Sequence, residues 1–206
     1  MLFSDIYSEI TQNAEASLRE RGSKFLAYSY IVYNELEVKK HLNELKSKYP
    51  DATHHCYAYV IGQGGEAQRA NDDGEPSNSA GRPILRAILS KQLTNVLVVV
   101  VRYFGGTLLG IPGLIESYGA AAAMVLNESG KVEKMMEEQF FMTTDFQHEQ
   151  EIHRILNQFQ VRILNREYTE EVIYTIAIRK NQVMQFEKIA NDSYLVDVKN
   201  NLQKAD

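Results

Sequence analysis

Residues 72 to 83 read Asp-Asp-Gly-Glu-Pro-Ser-Asn-Ser-Ala-Gly-Arg-Pro. Three carboxylates (Asp72, Asp73 and Glu75), the hydroxyl of Ser77 and the cation Arg82 thus crowd into one short stretch. Three chemistries suit these residue types. A divalent cation such as Mg²⁺ takes one or two carboxylates together with substrate oxygens, which this composition permits. The same letters also make a solvated turn, with Gly74 supplying a positive φ. Two carboxylates could instead divide acid and base roles, which requires environments that separate their pKa values. The third chemistry is anion recognition, and it draws in a second stretch, residues 102 to 113. There Arg102 and Tyr103 end an apolar run, and Gly105, Gly106, Gly110 and Gly113 lead into a helix-like pattern. Backbone N–H groups and the dipole at a helix start favour a negative ligand. Two such starts, with Arg82 and Arg102, would form a pocket for phosphate or carboxylate. The structural alternative is that the glycines only permit tight turns and close packing. Neither the P-loop spacing nor the dinucleotide-binding glycine spacing is present.

His54, His55 and Cys56 invite a metal or nucleophile reading. On a strand His54 and Cys56 face one side and His55 the other, so the three do not converge. Tyr28, Tyr30, Tyr57, Tyr59 and Tyr103 could stack on bases, and tyrosine is equally a common strand residue.

Elements must position these groups, and the periodicity supplies them. Residues 9–18 and 24–32 flank Gly22 as a hairpin. Residues 34–50 make a helix capped by Asn34, and 54–62 a strand followed by a glycine-rich loop to Pro76. Ile84, Leu85, Ile88 and Leu89 mark a helix with Pro83 in its first turn. Val96–Val101 is a strand apolar on both faces, and Leu114 to Leu126 a second helix ending at Gly130. Beyond residue 135 the pattern is strand, helix, hairpin, helix, strand. Its first helix is opened by a Thr144–Gln147 capping box, and its hairpin turns at Glu167–Glu170. That order, βαββαβ, is ferredoxin-like. The expectation is an α+β protein of two domains, residues 1–135 and 136–206.

Composition narrows the function classes. Residues 1–135 carry 14 basic and 15 acidic side chains and the remainder 8 and 12, giving the net charge of −5. Nucleic-acid binders usually show a basic surplus, so any such binding should be weak and salt-labile. No apolar run is long enough for a membrane span, no secretory signal is visible, and the lone Cys56 excludes an intrachain disulfide. These features point to a soluble cytoplasmic protein without a membrane partner. No cofactor fingerprint is present.

Three ordered motifs carry a family resemblance: residues 51–62 (DATHHCYAYVIG), 72–85 (DDGEPSNSAGRPIL) and 98–122, with Ser23-Lys24-Phe25 as an upstream element. Together they resemble the YigZ/IMPACT family over about residues 15–130. The resemblance implies a first domain like domain two of ribosomal small-subunit protein five, a β-sheet with helices on one face. It implies a second domain similar to the fifth domain of elongation factor G. It also implies a non-enzymatic binding protein linked to translational regulation through protein or ribosome contacts. A carboxylate-loop hydrolase using a divalent cation, and a nucleic-acid binder, stand as alternatives. The motif residues named above, with Lys24, His54 and His55, form the expected ligand or partner surface. The chain departs from the family pattern at Asn78-Ser79, Leu108, Pro112 and Glu116. Leu108 and Glu116 remove positive charge from the proposed anion pocket.

Overall fold

The computed structural model describes residues 5–200. The described residues divide into two compact units, 7–134 and a second made of 135–200 with 5–6.

The larger unit is built on a five-stranded sheet ordered β2-β3-β6-β4-β5, every neighbouring pair antiparallel. A short strand β1 (Ile6–Glu9) pairs separately with β7 (Val132–Met135). The hairpin of β2 (Ala14–Glu20) and β3 (Ser23–Ile31) closes on Arg21 and Gly22. Both have positive φ, 44° and 81°, the turn whose twist matches that of antiparallel strands. The expected opening strand is therefore two pieces, with Ile10 buried between them.

Helix α1 (Glu35–Lys48) is capped by Asn34, which accepts the Glu37 N–H. Strand β4 (His54–Ile61) follows. The segment after it is not wholly loop, since Ala67–Asn71 forms β5 against β4. Its sequence, Ala-Gln-Arg-Ala-Asn, has no apolar alternation because it is a largely exposed edge strand. Helix α2 (Gly81–Ser90) carries Pro83 in its first turn, where the missing N–H has no partner to lose. Strand β6 (Val96–Tyr103) then leads into helix α3 (Gly110–Glu128), beyond which Gly130 takes a φ of 66°.

The central strand β6 explains its own composition. Val96, Val98 and Val100 face α2 and α3, in a core with Phe25, Cys56, Ile84, Ile88 and Tyr118. Leu97, Val99 and Val101 face the other way, packing with Tyr28, Val38, Leu45 and Tyr59. Two helices cover one face, as the resemblance implies, and α1 supplies Val38 and Leu45 on the opposite one. A strand covered on both sides has no polar face to show.

The second unit runs β8 (Glu137–Thr144), α4 (Glu149–Leu156), β9 (Val161–Tyr168), β10 (Val172–Arg179), α5 (Val183–Asn191) and β11 (Asp197–Asn200). The antiparallel order β11-β8-β10-β9 is the ferredoxin-like arrangement. Phe140, Ile152, Ile155, Tyr174 and Phe186 form its core. The expected Thr144–Gln147 capping box does not form. Asp145 accepts the N–H groups of Gln147 and His148 instead, and the Thr144 hydroxyl donates to the Leu195 carbonyl. The hairpin turn lies at residues 169–171, slightly later than its charge pattern suggests. Among the described residues, no helix is long and apolar enough to cross a membrane.

Candidate ligand-binding cleft

The three carboxylates of the 72–75 loop point in three directions. Asp73 (φ 42°) and Gly74 (φ 88°) fold a tight turn closed by the Glu75 N–H to the Asp72 carbonyl at 2.9 Å. Asp72 then reaches forward to the start of α2. Its Oδ1 accepts from Ala80 N–H at 3.0 Å and Gly81 N–H at 2.8 Å, and its Oδ2 from Asn78 N–H at 2.9 Å. A carboxylate at a helix start satisfies orphan donors and meets the positive end of the dipole. Asp73 turns back to β4, where its Oδ2 accepts the His55 N–H at 2.6 Å. Glu75 alone points into the interior. No cation site forms here, because the first two carboxylates are held apart by their own backbone donors. Among the described residues no cluster of three or more His, Cys, Asp or Glu side chains is arranged to hold a metal ion.

Glu75 meets Arg102 from β6. Arg102 Nη1 donates to Glu75 Oε1 at 2.5 Å, and the two side chains are only 6% and 4% exposed. Tyr118 OH donates to the same oxygen at 2.8 Å, and Arg102 Nη2 donates to Ser23 Oγ at 3.3 Å. The guanidinium carbon lies over the rings of Phe25 and Phe104, 5.4 and 5.7 Å from their centroids. His54 Nε2 stands 3.8 Å from Glu75, beyond hydrogen-bond reach. Its Nδ1–H donates to the Asp73 carbonyl at 2.7 Å, and this leaves Nε2 of the neutral ring as an acceptor. Cys56 Sγ lies 3.3 Å from Tyr118 OH and 3.0 Å from the Asp72 carbonyl. Burial pushes the Cys56 thiol and the Tyr118 hydroxyl well up from their ordinary values, so both stay protonated.

This cluster floors a cleft of about 440 Å³. Thr53, His54, Glu75 and Arg102 line its polar end. Pro76, Phe104, Leu109 and Leu114, with Leu108 and Ile111, make the rest apolar. Phe104, Leu108 and Ile111 are 47%, 82% and 53% exposed. The loop bearing Phe104 and Leu108 is pinned to the β2–β3 turn. A Cβ on Gly105 would lie 1.9 Å from the Gly22 carbonyl carbon, so only glycine allows this approach. Gly106 follows with a φ of 83°.

The two motif loops therefore adjoin through Glu75 and Arg102, but the structure separates the other expected residues. Arg82 is exposed on α2 and does not line the cleft, and the α2 start that it would have shared is closed by Asp72. The two-arginine pocket is not formed. Tyr103 alternates to the other face of β6, where its hydroxyl donates to Asp51. Lys24, opposite Tyr103 on β3, lines a separate hollow with Tyr28, Lys48 and Tyr49. His55 faces the α1 side, its Nε2 buried without a partner among the described residues and its pKa lowered by burial. Ser77 is exposed and accepts from the Asn78 side-chain amide at 3.1 Å. Sequence reasoning missed Tyr118, which reads as one more core residue of α3. It also missed the apolar rim, whose signal was the pair Leu108-Leu109 inside a glycine-rich loop.

The fold and cleft define a class: a two-domain α+β protein whose larger unit carries a half-polar cleft. Residues 21–126 match the Impact N-terminal domain, and residues 142–192 match a domain of unknown function, DUF1949. The chain is 32% identical to IMPACT family member YvyE of Bacillus subtilis over 180 residues, 87% of this chain and 83% of that one. It is 31% identical to IMPACT family member YigZ of Escherichia coli over 150 residues, covering 72% and 74%. A crystal structure described as that of a hypothetical protein superposes with a TM-score of 0.68 at 25% identity, covering 94% of this chain and 96% of the other. The chain belongs to the IMPACT family.

Proposed function

We propose that this chain is a binding protein of translational control, and that it recognises a protein or ribosome-associated partner through the cleft beside α3. Membership of the IMPACT family supports the link to translation. The observation that carries the binding reading is the state of the cleft's reactive groups. Glu75 is paired with Arg102 and Tyr118, Cys56 is a buried protonated thiol, and Asp72 and Asp73 hold backbone. Around them stand three exposed apolar side chains, the composition of a surface that anchors a partner's side chain. A cell-free translation system depleted of the chain tests this reading. Adding back the wild type should change the rate of reporter synthesis, and Leu108→Asp should not. An unaltered rate with the wild type, or full activity of the variant, would refute it.

One observation favours a second reading, an enzyme acting on a small molecule. Glu75 converges with Arg102, Tyr118 and His54 in a cleft, and the Asp73 carbonyl fixes His54 with Nε2 as an acceptor. Such an enzyme would use His54 as its base, without the Asp72–Asp73 pair. Hydrolysis of a panel of esters and phosphate esters by the wild type, lost in His54→Gln, would promote it to first place.

A further inference from the structure

We propose that the cleft captures the free C-terminal carboxylate of a partner chain whose last residue is bulky and apolar. This rests on the binding reading above and names the ligand class. Arg102 lines the cleft, and its Nη groups go to Glu75 and Ser23. Its Nε–H is buried with no acceptor among the described residues. A buried donor left unpaired is a standing penalty that an incoming acceptor relieves. The second set of donors belongs to α3, whose first turn (Leu109, Gly110, Ile111) walls the cleft. No side chain caps that 19-residue helix, and since Pro112 has no N–H, Gly110 and Ile111 carry the available ones within its first turn. The start of α2 is closed by the carboxylate of Asp72, while that of α3 opens onto a cleft.

Unpaired Arg102 Nε–H and helix N–H groups call for an acceptor, and the positive end of a helix favours an anionic one. The cleft sets a limit on its charge. Glu75 already neutralises Arg102, and neither a lysine nor a second arginine lines the wall. A singly charged carboxylate fits this balance better than a phosphate. Phe104, which lines the same cleft, lies over the guanidinium at 5.7 Å. The apolar side chain beside the carboxylate then packs against Leu109, Leu114 and Pro76. A small organic acid would fill the cavity and leave Leu108, 82% exposed, in water. A peptide leaving the cleft covers it.

Affinity selection on the immobilised full-length chain tests the proposal. Two pools of octapeptides end in Leu, Ile or Phe, one with free carboxyl termini and the other amidated, and retained peptides are identified by mass. The free-acid pool should be retained at least about tenfold more strongly, the effect of losing charge-assisted hydrogen bonds. Leu108→Asp, a surface change that leaves the core intact, should lower that retention about tenfold. Equal retention of both pools, or of neither, overturns the proposal. Binding of 4-phenylbutyrate by calorimetry as tight as the best peptide overturns the choice of a chain terminus. If no peptide is retained while Leu108→Asp still abolishes the effect on translation, the ligand class falls and the binding reading stands.

Discussion

Removing the carboxylate of Glu75 while keeping Arg102 isolates the energetics of the cleft floor. The Arg102–Glu75 contact of 2.5 Å lies between side chains only 6% and 4% exposed, so losing Glu75 strands a guanidinium out of water. Breaking a buried pair from one side costs about 3–5 kcal/mol. Tyr118 also loses its acceptor, and a buried hydroxyl left unsatisfied adds about 1–3 kcal/mol. Glu75→Leu should therefore destabilise the larger unit by about 4–8 kcal/mol, a large fraction of the roughly 5–15 kcal/mol that holds a domain together. Glu75→Gln keeps an oxygen for both donors and loses only the charge, for about 2–3 kcal/mol. The decisive variant is Glu75→Leu with Arg102→Met. Apolar replacement of a whole buried pair is often neutral or better, and Met also removes the Nε donor that already lacks a partner. The double variant should return to within about 2 kcal/mol of wild type. Urea unfolding followed by circular dichroism reads this out, with Glu75→Leu lowering the midpoint by about 2 M or more. Additive losses in the double variant would refute the account, because they would mean that the two charges do not depend on one another.

Four further outcomes follow from the same geometry. Gly105→Ala should cost about 3 kcal/mol by the same urea measurement, since its Cβ would fall on the backbone of Gly22 and Ser23, and a wild-type midpoint would contradict the packing described. Iodoacetamide should leave Cys56 unlabelled in the native chain at pH 8 and alkylate it on unfolding, because burial raises the thiol's pKa; fast native labelling counts against this. Burial holds the His55 imidazole below its ordinary 6.5, so the stability gained from its neutral form is full above about pH 6.5 and is lost as pH falls through the lower folded value. Thermal melts of His55→Phe across pH 7.5 to 5 should therefore slope less than those of wild type, and parallel slopes would argue otherwise. Labelled RNA should bind weakly in anisotropy titrations and dissociate with added salt, given the net charge of −5; sub-micromolar affinity at physiological salt would overturn this expectation.

Much of the fold was readable because its signals are local. The unbroken apolar run of β6 and the i, i+3, i+4 stripe of Ile152, Ile155 and Leu156 each record what covers them. What stayed hidden depends on partners distant in sequence. Strand β5 has no pattern of its own and exists through its ladder with β4. Thr144 fails as a cap because its hydroxyl finds a carbonyl 51 residues away. Strand parity already separates Arg102 from Tyr103 and places Lys24 with Tyr103, so neither belonged beside the cleft.

The site was harder to read, since residue type does not reveal direction. Asp72, Asp73 and Glu75 look alike in sequence, yet one caps α2, one holds β4 and one neutralises Arg102. Those separate uses change the chemistry that the loop can support. Two expected helix starts and two nearby arginines suggested an anion site. The structure fills the first start with Asp72 and pairs the remaining arginine with Glu75. What survives is one open helix start and one unpaired guanidinium N–H beside an apolar wall. A phosphate would meet too little positive charge there, and a purely apolar side chain would leave the donors unanswered. A group that joins one carboxylate to an apolar body answers both, which is why a carboxylate and not a phosphate is the proposed ligand group.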